Sequence, residues 1–306
     1  MLKTENWAVR FVILFLWSSV CYSQVGQGGS SGLAFLKVGV GGRATGLGEA
    51  FTAVSDDATA TYWNPAGLAR LPQAQFAFTH TEWIQDMTSE FAAFAFPALH
   101  GVFGLSLYSN NISGIERRTG PSDTPLGTID AHDLAVGLSY GRSISSKLQA
   151  GITVKYLYEK IFVESASGYA LDVGVTFQPL GKELNLAVTA QNFGSMGTLR
   201  QEEIALPQTI RFGASYQLAL GSFDSYLLLT ADGVKVRELD LRGNFGAELR
   251  VRDLLAFRFG YQAGLDERSF GGGVGFVYKR YRFDYGYSPF KSNLGDSHRI
   301  SFGLDL

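Results

Sequence analysis

The sequence predicts an all-β fold: a transmembrane antiparallel β-barrel of about 14 strands, with a small N-terminal plug segment containing short helices. Two observations carry this expectation. From Gln75 onward, apolar residues alternate with small or polar ones at a period of two. The segments marked in this way approach the ~10 residues that a tilted strand needs to cross a hydrocarbon layer. Composition agrees. Gly is plentiful (37) and Pro sparse (8), alongside 23 Phe and 14 Tyr. Gly is costly inside helices, so this mix disfavours a helical bundle and suits closely packed strands with interfacial aromatics.

The first residues read as a secretory leader. Lys3 and Arg10 supply positive charge, Phe11 to Val20 is a short apolar core, and Cys21-Tyr22-Ser23 offers small residues for cleavage before Gln24. The apolar run is shorter than the ~20 residues of a membrane-spanning helix. Val20 also fits poorly ahead of a lipidated cysteine. Cleavage there removes Cys21, the single cysteine, and with it any disulfide, thiolate nucleophile or Cys metal site. The domain reading is a signal peptide over 1–23, a periplasmic or plug segment over 24–72 and an outer-membrane β-barrel over 73–306.

Within 24–72, Gln24 to Gly32 is a polar, Gly-rich lead-in. Leu33 to Leu71 is rich in Gly, Ala and Thr, with short helical turns expected near Arg43 to Phe51 and Asn64 to Ala69. Asn64-Pro65 places a capping residue before a proline at the first helical position. Too few large apolar residues are present for a core of its own, so the segment is expected to fold into or beneath the barrel.

Strand cores are expected near 75–82, 89–96, 101–109, 131–141, 147–160, 167–178, 184–193, 208–219, 225–234, 241–252, 254–262, 269–279, 281–287 and 298–306. In the fifth, Ile152, Val154 and Tyr156 oppose Gly151, Thr153 and Lys155. The connection from Asn111 to Asp130, polar and holding Pro121 and Pro125, is expected to be the long extracellular loop. Nearly every strand has one apolar or aromatic face. The other is built from Gly, Ala, Ser and Thr with isolated charges: Lys155, Asp172, Arg211, Glu248, Arg258, Arg282, Asp284, Arg299 and Asp305. A soluble β-sandwich or propeller would carry many Lys and Glu on its outer face. A membrane barrel turns the apolar face to lipid and gathers small residues and balanced charges in its lumen. Ile300, Phe302, Leu304 and Leu306 continue the alternation to the last residue. The partners so implied are outer-membrane lipid and lipopolysaccharide.

Catalytic and nucleic-acid readings find little footing. The net charge is −2 with dispersed ions, and no basic block points to nucleic acid. Gly28-Gly29-Ser30-Ser31-Gly32 matches a nucleophile-elbow string but lacks the strand before and the helix after it. Gly39-x-Gly41 has no βαβ unit around it. His80, His100, His132 and His298 are scattered without ligand spacing. The reading is therefore a non-enzyme with no cofactor, metal or catalytic site.

The most distinctive string is Val38-Gly39-Val40-Gly41-Gly42-Arg43-Ala44-Thr45-Gly46-Leu47-Gly48-Glu49-Ala50. It is followed by Ala53-Val54-Ser55-Asp56-Asp57-Ala58 and Tyr62-Trp63-Asn64-Pro65-Ala66-Gly67-Leu68-Ala69. Gly41 and Gly42 permit a tight turn and close packing. Arg43 is placed to reach lumen carboxylates, and Asp56 or Asp57 to pair with it or cap a turn. Together with Trp63, Asn64 and Pro65, these residues hold the plug in place, since charges enclosed in a lumen need partners whether or not anything is transported.

This order resembles the opening of the PorV/PorQ family of outer-membrane proteins and, more loosely, of the FadL-type long-chain fatty-acid transporters. The PorV/PorQ resemblance implies an accessory role in type IX secretion, binding cargo proteins or secretion components. The FadL-type resemblance implies the strand count and, as the alternative function, a channel for a hydrophobic ligand. Such a channel should have an apolar pocket inside the barrel and either a lateral opening or a movable plug.

Overall fold

The computed structural model describes residues 31–84, 87–121, 124–199, 202–221, 224–292 and 294–306. The leader, its cleavage point and most of the Gly-rich lead-in lie outside the described residues.

Fourteen strands form a closed antiparallel barrel: β1 (Gln75–Glu82), β2 (Thr88–Ala98), β3 (Gly101–Arg117), β4 (Gly127–Ser143), β5 (Leu148–Ile161), β6 (Glu164–Phe177), β7 (Leu184–Met196), β10 (Thr209–Leu220), β11 (Ser225–Val236), β12 (Arg242–Val251), β13 (Leu255–Ala263), β14 (Phe270–Tyr278), β15 (Tyr281–Pro289) and β16 (Asp296–Asp305). Each pairs with its neighbour in sequence. The connection between β7 and β10 carries a minimal hairpin, β8 (Thr198–Leu199) with β9 (Glu202–Glu203). Pairing of β1 with β16, from Gln75↔Asp305 to Glu82↔His298, closes the ring. Closure leaves no unpaired strand edge, as a hydrocarbon environment requires.

The two faces of each strand meet different surroundings. In β5, Ile152, Val154 and Tyr156 are exposed while Gln149, Thr153 and Lys155 are buried. In β13, Phe257 and Phe259 are more than half exposed whereas Arg258, between them, is 7% exposed. Solvent-facing Phe and Val around a whole ring would be unfavourable in water by roughly 25 cal/mol per Å² of apolar surface. Against lipid this cost vanishes.

The connections sort into two ends. At one end tight turns join β2 to β3, β12 to β13 and β14 to β15. Leu99 and His100 in the first of these both take positive φ (51° and 62°). At the other end lie residues 83–84, 87, 118–121, 124–126, 197–199, 202–208, 237–241, 264–269, 290–292 and 294–295. The connection expected over Asn111–Asp130 is shorter than its sequence suggests. β3 and β4 continue to Arg117 and from Gly127, past a register shift between Ile112 and Ile115. Backbone pairing continues there after the side-chain alternation has faded, because strands projecting into water need no apolar face.

Residues 33–72 fill the lumen. They form four short turns: Ala34–Lys37 (3-10), Gly42–Gly46 (α), Ala60–Trp63 (α) and Pro65–Arg70 (3-10). The short turn expected near Arg43 to Phe51 is the α turn Gly42–Gly46, and the turns Ala34–Lys37 and Ala60–Trp63 add to the two that the sequence predicts. The protein's buried apolar cluster centres on this segment, with Leu33, Val40, Leu47, Phe51, Trp63 and Leu68 all almost fully enclosed.

Candidate functional site

The plug seats itself against glycines of the wall. A Cβ on Gly151 would stand 2.2 Å from the Pro65 carbonyl carbon, and one on Gly260 would stand 2.0 Å from the Gly48 nitrogen. Backbone thus meets backbone where any side chain would keep the two apart. The motif residues hold the plug's internal shape. Gly41 takes φ 93°, and a Cβ on Gly42 would meet the Asp284 carbonyl oxygen at 2.8 Å. Asn64 Oδ1 accepts from Ala66 N (3.1 Å) at the start of the Pro65 turn, and its Nδ2 donates to the Thr52 carbonyl (3.0 Å). Trp63 Nε1 donates to the Val40 carbonyl (3.0 Å). Asp57 Oδ1 accepts from Thr59 N (2.9 Å), just ahead of the Ala60–Trp63 turn.

Charged groups occupy both halves of the lumen. Toward the tight-turn end, Arg43 contacts Asp56 (2.6 Å) and Glu248 (2.9 Å). Arg258 bridges Glu248 (2.6 Å) and Asp284 (2.7 Å), and Arg282 meets Asp305 (3.3 Å). On the far side Lys155 pairs with Asp172 (2.6 Å) and donates to Asn192 Oδ1 (2.7 Å). Toward the loop end, Arg299 and Arg268 contact the plug's Glu49 at 3.3 and 3.2 Å. Burial works against the Glu49 charge, but Arg268, Arg299, Arg242 and Arg211 together bring its carboxyl down to about 2. Arg211 has no carboxylate contact among the described residues. It donates to Gln191 Oε1 (3.1 Å) and lies 5.0 Å from the Trp63 ring centroid. The nine charges on the small-residue faces therefore fall into separate groups, with Arg211 and Arg299 near Glu49 and Glu248, Arg258 and Asp284 near Arg43.

An aromatic nest fills the loop-end half beside Arg211. Phe91 of β2 and Tyr108 of β3 point inward from a register pair, with ring centroids 5.9 Å apart. Tyr62 packs edge-on against both (6.3 and 5.9 Å) and against Trp63 (5.1 Å). Into this nest the plug inserts Phe35, 4.9 Å from Tyr108. The turn carrying Phe35 is tethered on several sides, with the Tyr62 hydroxyl donating to the Leu36 (3.0 Å) and Val38 (2.9 Å) carbonyls. Leu33 before it takes φ 49°, Gly32 N donates to the Ala205 carbonyl (3.1 Å), and Lys37 pairs with Glu238 (3.2 Å).

Sequence reasoning did not single out Glu49, Arg242, Arg268, Phe35, Phe91 or Tyr108. Parity was available for three of them. Phe91 shares its face with Ser89 and Ala93, Tyr108 with Asn110, and Arg242 with Asn244 and Glu248. An aromatic or basic residue on the small-residue face was the clue. Arg268 lies in a loop and Glu49 and Phe35 in short turns, where no period exists to be read.

The profile of an uncharacterised protein family, UPF0164, matches residues 23–125. Among solved structures, the CymD monoaromatic hydrocarbon channel superposes with a TM-score of 0.65 at 13% identity, covering 88% of this chain and 98% of its own. The fold is that of these channels. The Pseudomonas putida toluene transporter TodX gives 0.54 at 11% identity, covering 80% and 91%. A Pseudomonas aeruginosa FadL homologue gives 0.53 at 10%, covering 86% and 98%. No curated protein matches. The barrel fold thus resembles those of bacterial outer-membrane channels; at these identities the likeness concerns architecture alone.

Proposed function

We propose that the protein is a FadL-like channel of the bacterial outer membrane, admitting hydrophobic small molecules through the aromatic nest. The observation that carries this reading is Phe35 in the nest. Its benzyl group is a toluene in all but one hydrogen, packed 4.9 Å from Tyr108 in the nest that Tyr62 and Phe91 complete, on a turn whose withdrawal the channel reading requires. In this reading the loop end faces outside and the tight-turn end faces the periplasm, following the usual asymmetry of such barrels. The likeness to hydrocarbon channels favours transport over the secretion-accessory role. That role is retained as the second reading because of the string Val38–Ala50 and Asp56–Ala69.

The test uses the purified barrel in lipid nanodiscs. Toluene binding is measured by calorimetry for the wild type and for Phe35→Ala. The channel reading expects binding by the wild type and tighter binding by F35A, since removing the ring leaves an apolar cavity of its own shape. Absence of binding in both, with exported proteins or secretion-system subunits recovered when the tagged barrel is purified from its native membrane, would replace the channel reading with the secretion role.

A further inference from the structure

Around Glu49, toward the loop end of the lumen, guanidinium groups outnumber the carboxylates among the described residues. Arg268 and Arg299 contact Glu49 directly, and Arg242 and Arg211 both act on the same carboxylate. Asp232 is the next acid, and its Oδ2 is taken by plug groups: Phe51 N (3.1 Å), Thr52 N (3.0 Å) and the Thr52 hydroxyl (2.6 Å). Four guanidinium groups therefore face two carboxylates. Arg242 is 6% exposed, and among the described residues its Nε and Nη2 have no hydrogen-bond partner; Arg211 Nη1 and Arg299 Nε likewise have none there. Leaving a buried donor unmade is costly, and more so when it is charged.

The arrangement is also held in place from outside. Arg268 stacks on Trp83 (5.0 Å) and Phe290 (5.7 Å), and Arg299 lies 5.2 Å from the Trp83 ring. Trp83 and Phe290, in edge-on contact at 5.0 Å, belong to the loops of the same mouth and are only half-buried. Arg211 joins this group to the aromatic nest through Trp63. Rigid guanidinium forks with free donors are suited to a group with several acceptor oxygens and negative charge.

We propose that Arg211, Arg242, Arg268 and Arg299 form a receiving site for an oxyanion (a carboxylate, sulfonate, sulfate or phosphate group), with the plug's Glu49 as its resident stand-in. The site lies one residue's reach from the nest that Phe35 occupies, so the plug supplies both an aromatic ring and an anion. A ligand carrying both would displace both. This inference rests on the channel reading for the ligand's apolar part, whereas the oxyanion site itself stands on the arginines alone.

The experiment is calorimetric titration of the full barrel in nanodiscs with para-toluenesulfonate, toluene and inorganic sulfate. Intrinsic Trp fluorescence is followed in parallel, because Trp63 and Trp83 carry three of the arginines. The wild type is expected to bind para-toluenesulfonate more tightly than toluene. Arg242→Gln, which leaves both Glu49 ion pairs intact, should weaken para-toluenesulfonate by about tenfold, the loss of a charge-assisted hydrogen bond, and leave toluene unchanged. Glu49→Gln removes the competitor and should tighten para-toluenesulfonate; if it fails to fold, R242Q decides. Sulfate binding as tightly as para-toluenesulfonate would support the site and assign it to a free anion. Equal affinity for toluene and para-toluenesulfonate, unaffected by R242Q, would overturn the oxyanion site while leaving the channel intact. Failure of toluene alone would sink the channel reading and spare the site.

Discussion

Arg43 and Glu248 meet fork to fork: Nε to Oε2 at 2.9 Å and Nη2 to Oε1 at 3.1 Å, both side chains buried. One residue belongs to the plug and the other to β12, so the pair fastens the stopper to the wall. The same carboxylate also receives Arg258 (2.6 Å) and Arg250 (3.4 Å).

Glu248→Gln should therefore destabilise the protein more than Arg43→Ala does, because it leaves three arginines short of a counter-charge. Each loss is expected at about 3–5 kcal/mol, the range for breaking one side of a buried pair. Urea unfolding in lipid vesicles checks the order. Equal midpoints for E248Q and wild type would show the pair to be dispensable.

Gly151→Val should loosen the plug. The new side chain would collide with Pro65, at about 1–3 kcal/mol for overpacking. Its expected signature is a rise in single-channel conductance across planar bilayers. Gly233→Ala, where a Cβ meets nothing within 4 Å, is the control and should conduct like the wild type.

Phe259→Arg tests which way the apolar faces point. Near the bilayer midplane an outward Arg costs about 2–4 kcal/mol, so the yield of barrel folded into vesicles should fall. An unchanged yield would remove Phe259 from the lipid surface.

Acid should act on the loop-end network through Glu49. Its carboxyl sits at about 2 in the folded protein against 4.5 ordinarily. A lowered folded value means that its contribution is complete above pH 4.5 and is lost as the pH falls from there through about 2. Unfolding midpoints of wild type and Glu49→Gln should converge over that window. Parallel curves would show that Glu49 is not held as an anion.

The barrel was legible because each crossing strand must present lipid on one side and lumen on the other, and this writes itself into every second residue. Leu255, Phe257, Phe259 and Tyr261 against Arg258 and Gln262 is one such record. The plug was legible as an exception to that period, and Asn64-Pro65 marked one of its turns. Its other turns, such as Ala34–Lys37, are too short to show a repeat of any kind. The Glu49 cluster was illegible for a different reason. It gathers Arg211, Arg242, Arg268 and Arg299 from two strands, a loop and the last strand, and only closure of the ring brings them to one point.

That closure constrains the order of assembly. The plug directly precedes β1, and its Trp63, Tyr62 and Arg43 are too bulky and too polar to be threaded through a finished hydrocarbon-bounded ring. The β1–β16 seam is then expected to zip last, around a stopper already in place. A cysteine pair introduced across Ala77 and Gly303, which are register partners, would time that event. It should cross-link only after residues of the plug have become protected from protease, and the reverse order would refute the sequence of steps.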